Sequence, residues 1–213
     1  MTPHVSILIP SRGQRALANL ARDAIAAFTE DVSHDVRLLD HAGARVGWPR
    51  LGSDSVGESL NQLVGQAILQ TYGTHVFVMH DDALPLRPGW LAYLLSKPGP
   101  VTGVKESEGT KCAHGSGVLY ERVFIVTRSL RADLPERDAG EWPANWTAEA
   151  HPHRLAECSW AGHHGRQWWA RFDCDVSFHD DGEPFYVHFG GGSLNNRPDT
   201  AAWIAAARQA LTL

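Results

Sequence analysis

Residues 74–95 read THVFVMHDDALPLRPGWLAYLL, and this stretch decides the fold. Val76, Phe77, Val78 and Met79 form a short apolar run that stops at His80-Asp81-Asp82. A β-branched and aromatic run of that length, closed by polar residues, predicts a buried strand. Pro88 to Leu95 then predicts a helix with proline in its first turn. Upstream, Val5 to Pro10 (VSILIP) is a second buried strand, ending at Pro-Ser-Arg-Gly. Gln14 to Phe28 places Leu17, Leu20, Ala24, Ile25 and Phe28 at helical spacing, with Ser11 a candidate cap. Val36 to Leu39 predicts a strand ending at Asp40-His41, and Glu58 to Gln70 a helix with Leu60, Val64, Ala67 and Ile68 on one face. The first 95 residues therefore alternate β-α-β-α-β-α, the pattern of a parallel sheet with helices on its faces. In such sheets ligands bind at the carboxyl ends of the strands, where Pro10-Ser11-Arg12, Asp40-His41 and His80-Asp81-Asp82 fall.

The second half is less regular. Val118 to Arg128 predicts a strand through VFIVTR. Ser129 to Gln167 is rich in Pro, Gly, His and Trp, without clear periodicity. An element starts within Asp173 to Phe178, and Pro184 to Phe189 (PFYVHF) predicts a strand ending at Gly190-Gly191-Gly192-Ser193. Thr200 to Leu211 predicts an amphipathic helix. There is no internal repeat.

A chain of 213 residues suits one compact domain. Its 43% hydrophobic and 20% charged residues exclude a disordered or collagen-like chain. No apolar run reaches the ~20 residues of a membrane span. The start, MTPHVSILIP, lacks the basic and long hydrophobic regions of a signal peptide. Three cysteines, Cys112, Cys158 and Cys174, without a CxxC pair, support neither a disulfide framework nor a zinc finger, so a cytoplasmic setting is expected. A net charge of −5 disfavours a dominant electrostatic grip on nucleic acid. The 12 His and 8 Trp, with most of the Trp in the second half, point to a cleft there for a polar organic ligand.

Three groups of residues carry candidate chemistry. Asp81 and Asp82, adjacent at a strand end, repel one another and call for a metal, an arginine or a helix N-terminus. With His80 they suit a hard or borderline divalent cation such as Mn²⁺ or Mg²⁺; the alternative is a solvated turn or a helix cap. His188 precedes three glycines that let the backbone approach a phosphate or metal complex; the alternative is a half-buried strand histidine. Asp173 and Asp175 share one side if they lie in a strand, and either is a candidate general base; the alternative is an acidic helix start. His151, His153, His163 and His164 have the look of ligands but read more simply as a polar loop.

Together these pieces resemble the family 2 glycosyltransferases, inverting nucleotide-sugar enzymes of the GT-A fold. VSILIPSRG is similar to that family's first strand and nucleotide loop, which implies nucleotide contacts from Pro10, Ser11 and Arg12. Asp40 falls where a carboxylate commonly meets the base or ribose, and Asn61 where the family's helix often carries Asn. HVFVMHDDALPLRPGWLAYL is similar to the strand with the acidic DxD motif. In that register Asp82 takes the metal position, and His80 stands where the family has Asp or Asn. His80 and Asp81 are then expected on the nucleotide side. FDCDVSFHDDGEPFYVHFGGGS is similar to the late segment, which implies Asp173 as base, Asp175 as its rival by register, and His188 as metal ligand. The family usually carries a basic residue near His179, which this chain lacks. The similarity covers roughly residues 4–96 and 171–193.

The resemblance implies an α/β chain with one GT-A (Rossmann-like) domain: a mostly parallel sheet, helices on both faces, and an irregular acceptor-side insertion. Residues 1–96 would bind the nucleotide sugar, UDP-linked by expectation, and residues 97–213 the acceptor. Mn²⁺ or Mg²⁺ would be the cofactor. The acceptor hydroxyl would belong to a glycan, a protein or a hydroxymethylated DNA base, the last served by Arg122, Arg128, Arg131, Arg137, Arg154, Arg166 and Arg171. A metal-dependent phosphohydrolase and a non-catalytic nucleotide-binding module are the competing classes.

Overall fold

The computed structural model describes residues 2–11, 14–40, 67–104, 117–129, 177–179, 183, 185–189 and 198–212. The elements are β1 (His4–Ser11), α1 (Arg15–Phe28), β2 (Ser33–Asp40), β3 (His75–Met79), β4 (Ala83–Pro85), α2 (Trp90–Leu95), β5 (Val101–Val104), β6 (Gly117–Glu121), α3 (Arg122–Ser129), β7 (Ser177–His179), β8 (Tyr186–His188) and α4 (Thr200–Leu211). Six strands form one sheet in the order β2-β1-β3-β6-β5-β7, and β4 pairs with β8 in a separate ribbon. β1 runs parallel to β2 and β3, and β7 parallel to β5; β6 alone is reversed, antiparallel to both its neighbours. The sheet is thus mostly parallel, as the alternation predicts.

The continuous apolar runs of β1 and β3 follow from burial on both faces. On one face Val5, Ile7, Ile9, Phe77 and Met79 pack with Leu20, Ala21, Ala24 and Ile25 of α1 and Trp90, Leu91 and Leu94 of α2. On the other, Leu8, Val76 and Val78 pack with Ala67, Ile68 and Ile125. Side chains alternate between the two sets because the strand period is two. α1 begins where the Ser11 hydroxyl accepts the Gln14 N–H at 3.1 Å. Gly117 sits where an added Cβ would meet the Phe77 ring and come within 2.9 Å of the Tyr186 hydroxyl oxygen, so only glycine lets β6 pass there.

Four local readings change. VFIVTR lies in helix α3, not in a strand; the strand is Gly117–Glu121. Within α3, Ile125 is fully buried while Val123 is 75% exposed, so packing selects a helical face and overrides β-branched propensity. The Arg122 N–H bonds to the Thr74 carbonyl at 2.9 Å and its Nε–H to the Thr71 carbonyl at 2.7 Å, which turns the chain out of β6. α2 begins at Trp90 rather than Pro88, because Gly89 has φ of +81°, outside helical space. β4, only three residues long and ending in proline, carries no strand signal of its own. β5 is four residues long and likewise escapes the sequence pattern. No described helix is long and apolar enough to cross a membrane.

Candidate metal centre

Because β1, β2 and β3 are parallel, their carboxyl ends share one edge of the sheet, with Ser11 opposite Asp40 in the β1–β2 ladder. At the end of β3 the chain leaves the sheet through His80-Asp81-Asp82 and enters β4. β8 returns antiparallel to β4 and sets His188 directly opposite Ala83, one residue beyond Asp82. The Phe189 N–H donates to the Asp82 carbonyl at 2.8 Å and closes the ribbon. The Phe189 ring stacks on Trp203 of α4 at 4.4 Å, and Arg208 of the same helix bonds Asp23 of α1 at 2.8 Å.

This ribbon brings three ligand-type atoms together. His188 Nε2 lies 3.1 Å from Asp82 Oδ1 and 3.1 Å from His80 Nδ1; His80 Nδ1 lies 3.7 Å from Asp82 Oδ1. The side chains of His80, Asp82 and His188 are 8%, 1% and 7% exposed, so the solvated-turn alternative fails. Asp81 is buried as well. The two imidazoles meet edge to face, with centroids 5.0 Å apart.

The donor set fits a divalent cation. Two ligands about 2.1 Å from one ion lie about 3.0 Å apart at an octahedral angle and about 3.4 Å at a tetrahedral one. The two 3.1 Å separations match, and the 3.7 Å one exceeds the tetrahedral value by a few tenths of an ångström. Two ring nitrogens facing each other offer at most one N–H between them, whereas lone pairs from both can serve a cation.

The other expected residues divide. Pro10 and Ser11 are buried at the end of β1; Ser11 spends its hydroxyl on the turn into α1. Asp40 ends β2 on the same edge. Arg12, Asn61, Asp173 and Asp175 lie outside the described residues, as does the stretch 130–176. His80, which its residue type pairs with Asp81 and Asp82 as suited to a cation and which the resemblance assigns to the nucleotide side, lies within ligand distance of both Asp82 and His188.

Polar side chains also gather at the opposite edge. His4 Nε2 and the Ser6 hydroxyl reach Asp35 Oδ1 at 3.1 and 2.7 Å, and the Arg37 Nε–H reaches Oδ2 at 3.0 Å. Burial alone would raise the Asp35 pKa, but the hydrogen bonds from Ser6, Arg37 and His4 and the Arg37 charge together hold it below its ordinary value. Burial lowers the His75 pKa, partly offset by the facing Glu121.

The chain matches no protein-family model and no curated protein. Among solved structures, the glycosyltransferase GlyE of Streptococcus pneumoniae TIGR4 is similar over 97% of this chain and 60% of its own, at 9% identity and a TM-score of 0.53. The S. aureus TarS 1–349 structure is similar over 100% of this chain and 67% of its own, at 11% identity and a TM-score of 0.50. The mannosyltransferase PcManGT from Pyrobaculum calidifontis is similar over 60% of this chain at 14% identity and a TM-score of 0.42; the chain spans 47% of its length. Identities this low establish architecture alone, and the architecture is that of a single GT-A-like domain.

Proposed function

We propose that the protein is a metal-dependent, inverting glycosyltransferase that moves a sugar from a nucleoside-diphosphate donor, UDP-linked by preference, to an acceptor hydroxyl. One observation carries this reading: in a GT-A-like fold, Asp82 and His188 converge at the edge where parallel strands end. Asp82 and His188 would hold Mn²⁺ or Mg²⁺, which when bound neutralises charge on a diphosphate leaving group. Pro10, Ser11, Arg12, Asp40, Asn61, His80 and Asp81 would line the nucleotide side, in the half formed by residues 1–96. Residues 97–213 would receive the acceptor, whether glycan, protein or hydroxymethylated DNA base. Asp173, or Asp175 in its place, would take the acceptor's proton as its oxygen attacks the anomeric carbon. A single positioned base acting on the face opposite the leaving group inverts the centre.

The test is a panel of nucleotide sugars incubated with Mn²⁺, with and without acceptor glycans, proteins and hydroxymethylated DNA. Acceptor-dependent transfer supports the reading. Metal-dependent release of nucleotide with sugar passing only to water would instead make the protein a hydrolase. Binding without any release would make it a nucleotide-binding module.

A further inference from the structure

We infer that His80 is a third protein ligand of the metal centre, and that two imidazoles and one carboxylate tune this site away from Mg²⁺ toward borderline transition-metal ions, bound without nucleotide. The inference rests on the reading of Asp82 and His188 as a cation site. It adds the ligand count and the class of ion.

The geometry makes His80 an equal member of the set. Its Nδ1 is as close to His188 Nε2 as the Asp82 oxygen is, at 3.1 Å in each case. Its side chain is 8% exposed, so it is withheld from water at the place where the ligand atoms meet. The backbone holds it there. His80 follows directly on β3, whose ladder with β6 runs through Met79 and Gly117, while the β4–β8 register fixes His188 from the other side. His188 is thus set by strand pairing, while His80 and Asp82 lie in a three-residue connection held between β3 and β4 and tied to Phe189, and preorganised ligands bind an ion without a nucleotide to complete the set.

The chemistry then decides which ion. Mg²⁺ favours an all-oxygen shell, keeps several waters and is usually held by carboxylates plus substrate phosphates. Imidazole suits Zn²⁺, Fe²⁺, Co²⁺ and Ni²⁺, and affinity at a mixed nitrogen and oxygen site rises along the series from Mn²⁺ through Co²⁺. A carboxylate at position 80 would give an oxygen-rich set with a single imidazole. Histidine there gives a set in which nitrogen outnumbers oxygen.

The experiment titrates the tag-free full chain with Co²⁺, Mn²⁺ and Mg²⁺ alone, without nucleotide, by calorimetry and by the visible absorption of bound Co²⁺. The expected result is one tight Co²⁺ site whose Kd is about 10²-fold or more below that for Mg²⁺. His80→Asp should shrink that ratio at least about tenfold, and His80→Asn should weaken Co²⁺ binding to a similar degree. Comparing variants isolates this site from the chain's other histidines. A wild-type Co²⁺ affinity within a few-fold of that for Mg²⁺ would overturn the inference, whether or not either variant folds. So would a ratio unmoved in folded His80→Asp, or Co²⁺ binding that appears only when nucleotide is added. A selective Co²⁺ site in a protein that turns over no nucleotide sugar would uphold this inference while refuting glycosyl transfer.

Discussion

His188 Nε2 lies 3.1 Å from Asp82 Oδ1 across 106 residues of sequence, and the link between them is a ladder of three residue pairs. Ala83, Leu84 and Pro85 face His188, Val187 and Tyr186, and a one-residue slip would carry His188 to the other side of the ribbon. Register therefore assembles the candidate metal centre. Whatever holds β8 against β4 also holds the ligand set.

One such support is the Phe189–Trp203 stack, at 4.4 Å and 21° between planes. Trp203→Ala removes it together with the indole's own packing on the core, leaving Ile204, Ala207 and Leu211 in place. Because Trp203 is only half-buried, the expected loss is about 1–3 kcal/mol, lower than for a fully buried tryptophan. For a chain of this length that is a fall in Tm of roughly 2–12 °C. Metal affinity should fall as well, since Phe189 neighbours His188. An unchanged Tm, measured by circular dichroism, would show that α4 does not brace the ribbon.

The acceptor side yields a kinetic prediction. Asp173→Asn keeps size but cannot take a proton, so turnover should fall about 10²-fold or more with donor affinity nearly unchanged. Asp175→Asn is the control. If Asp175→Asn alone abolishes transfer, Asp175 is the base. If neither variant matters, the acceptor is activated by another group, and His163 and His164 are the next to test.

Acid should weaken the fold through His75. Burial holds its folded pKa below the ordinary 6.5, so as pH falls the unfolded chain takes up the proton first. Stability is unaffected by this group above about pH 6.5 and declines below it, until folded His75 also protonates. His75→Gln should flatten part of that decline, read as Tm against pH from about 5 to 7. Asp35 acts lower still: its depressed carboxyl stabilises the fold above its ordinary 3.8, and that contribution is lost as pH falls through its folded value. An identical pH profile in His75→Gln would show that His75 is not held neutral by burial.

How much of this was legible in the sequence depends on the range of the interactions. β1, α1 and β3 were legible because each carries its burial pattern within its own residues, and α4 because Trp203, Ile204, Ala207 and Leu211 fall at helical spacing and pack, partly buried, on the core. α3 was misread because Val123, Ile125 and Val126 are β-branched, and only the packing of Ile125 against the sheet shows that the period is helical. β4 and β5 were missed because three or four residues hold no countable period. Asp82 and His188 were proposed as ligands from their motifs. That His80 lies beside both of them depends on the β4–β8 register, which has no local signature. The reversed strand β6 is in the same position, since direction is a property of pairing.

If the protein is the proposed glycosyltransferase, a divalent ion on Asp82 and His188 carries the nucleotide. Calorimetric titration of UDP and GDP, with Mn²⁺ and again with a chelator, tests it without any knowledge of the acceptor. The expected result is tight binding of one diphosphate in Mn²⁺, loss of at least about tenfold in affinity with chelator, and a similar loss in Asp82→Ala. Equal affinity in wild type and in folded Asp82→Ala, or binding indifferent to the metal, would contradict it.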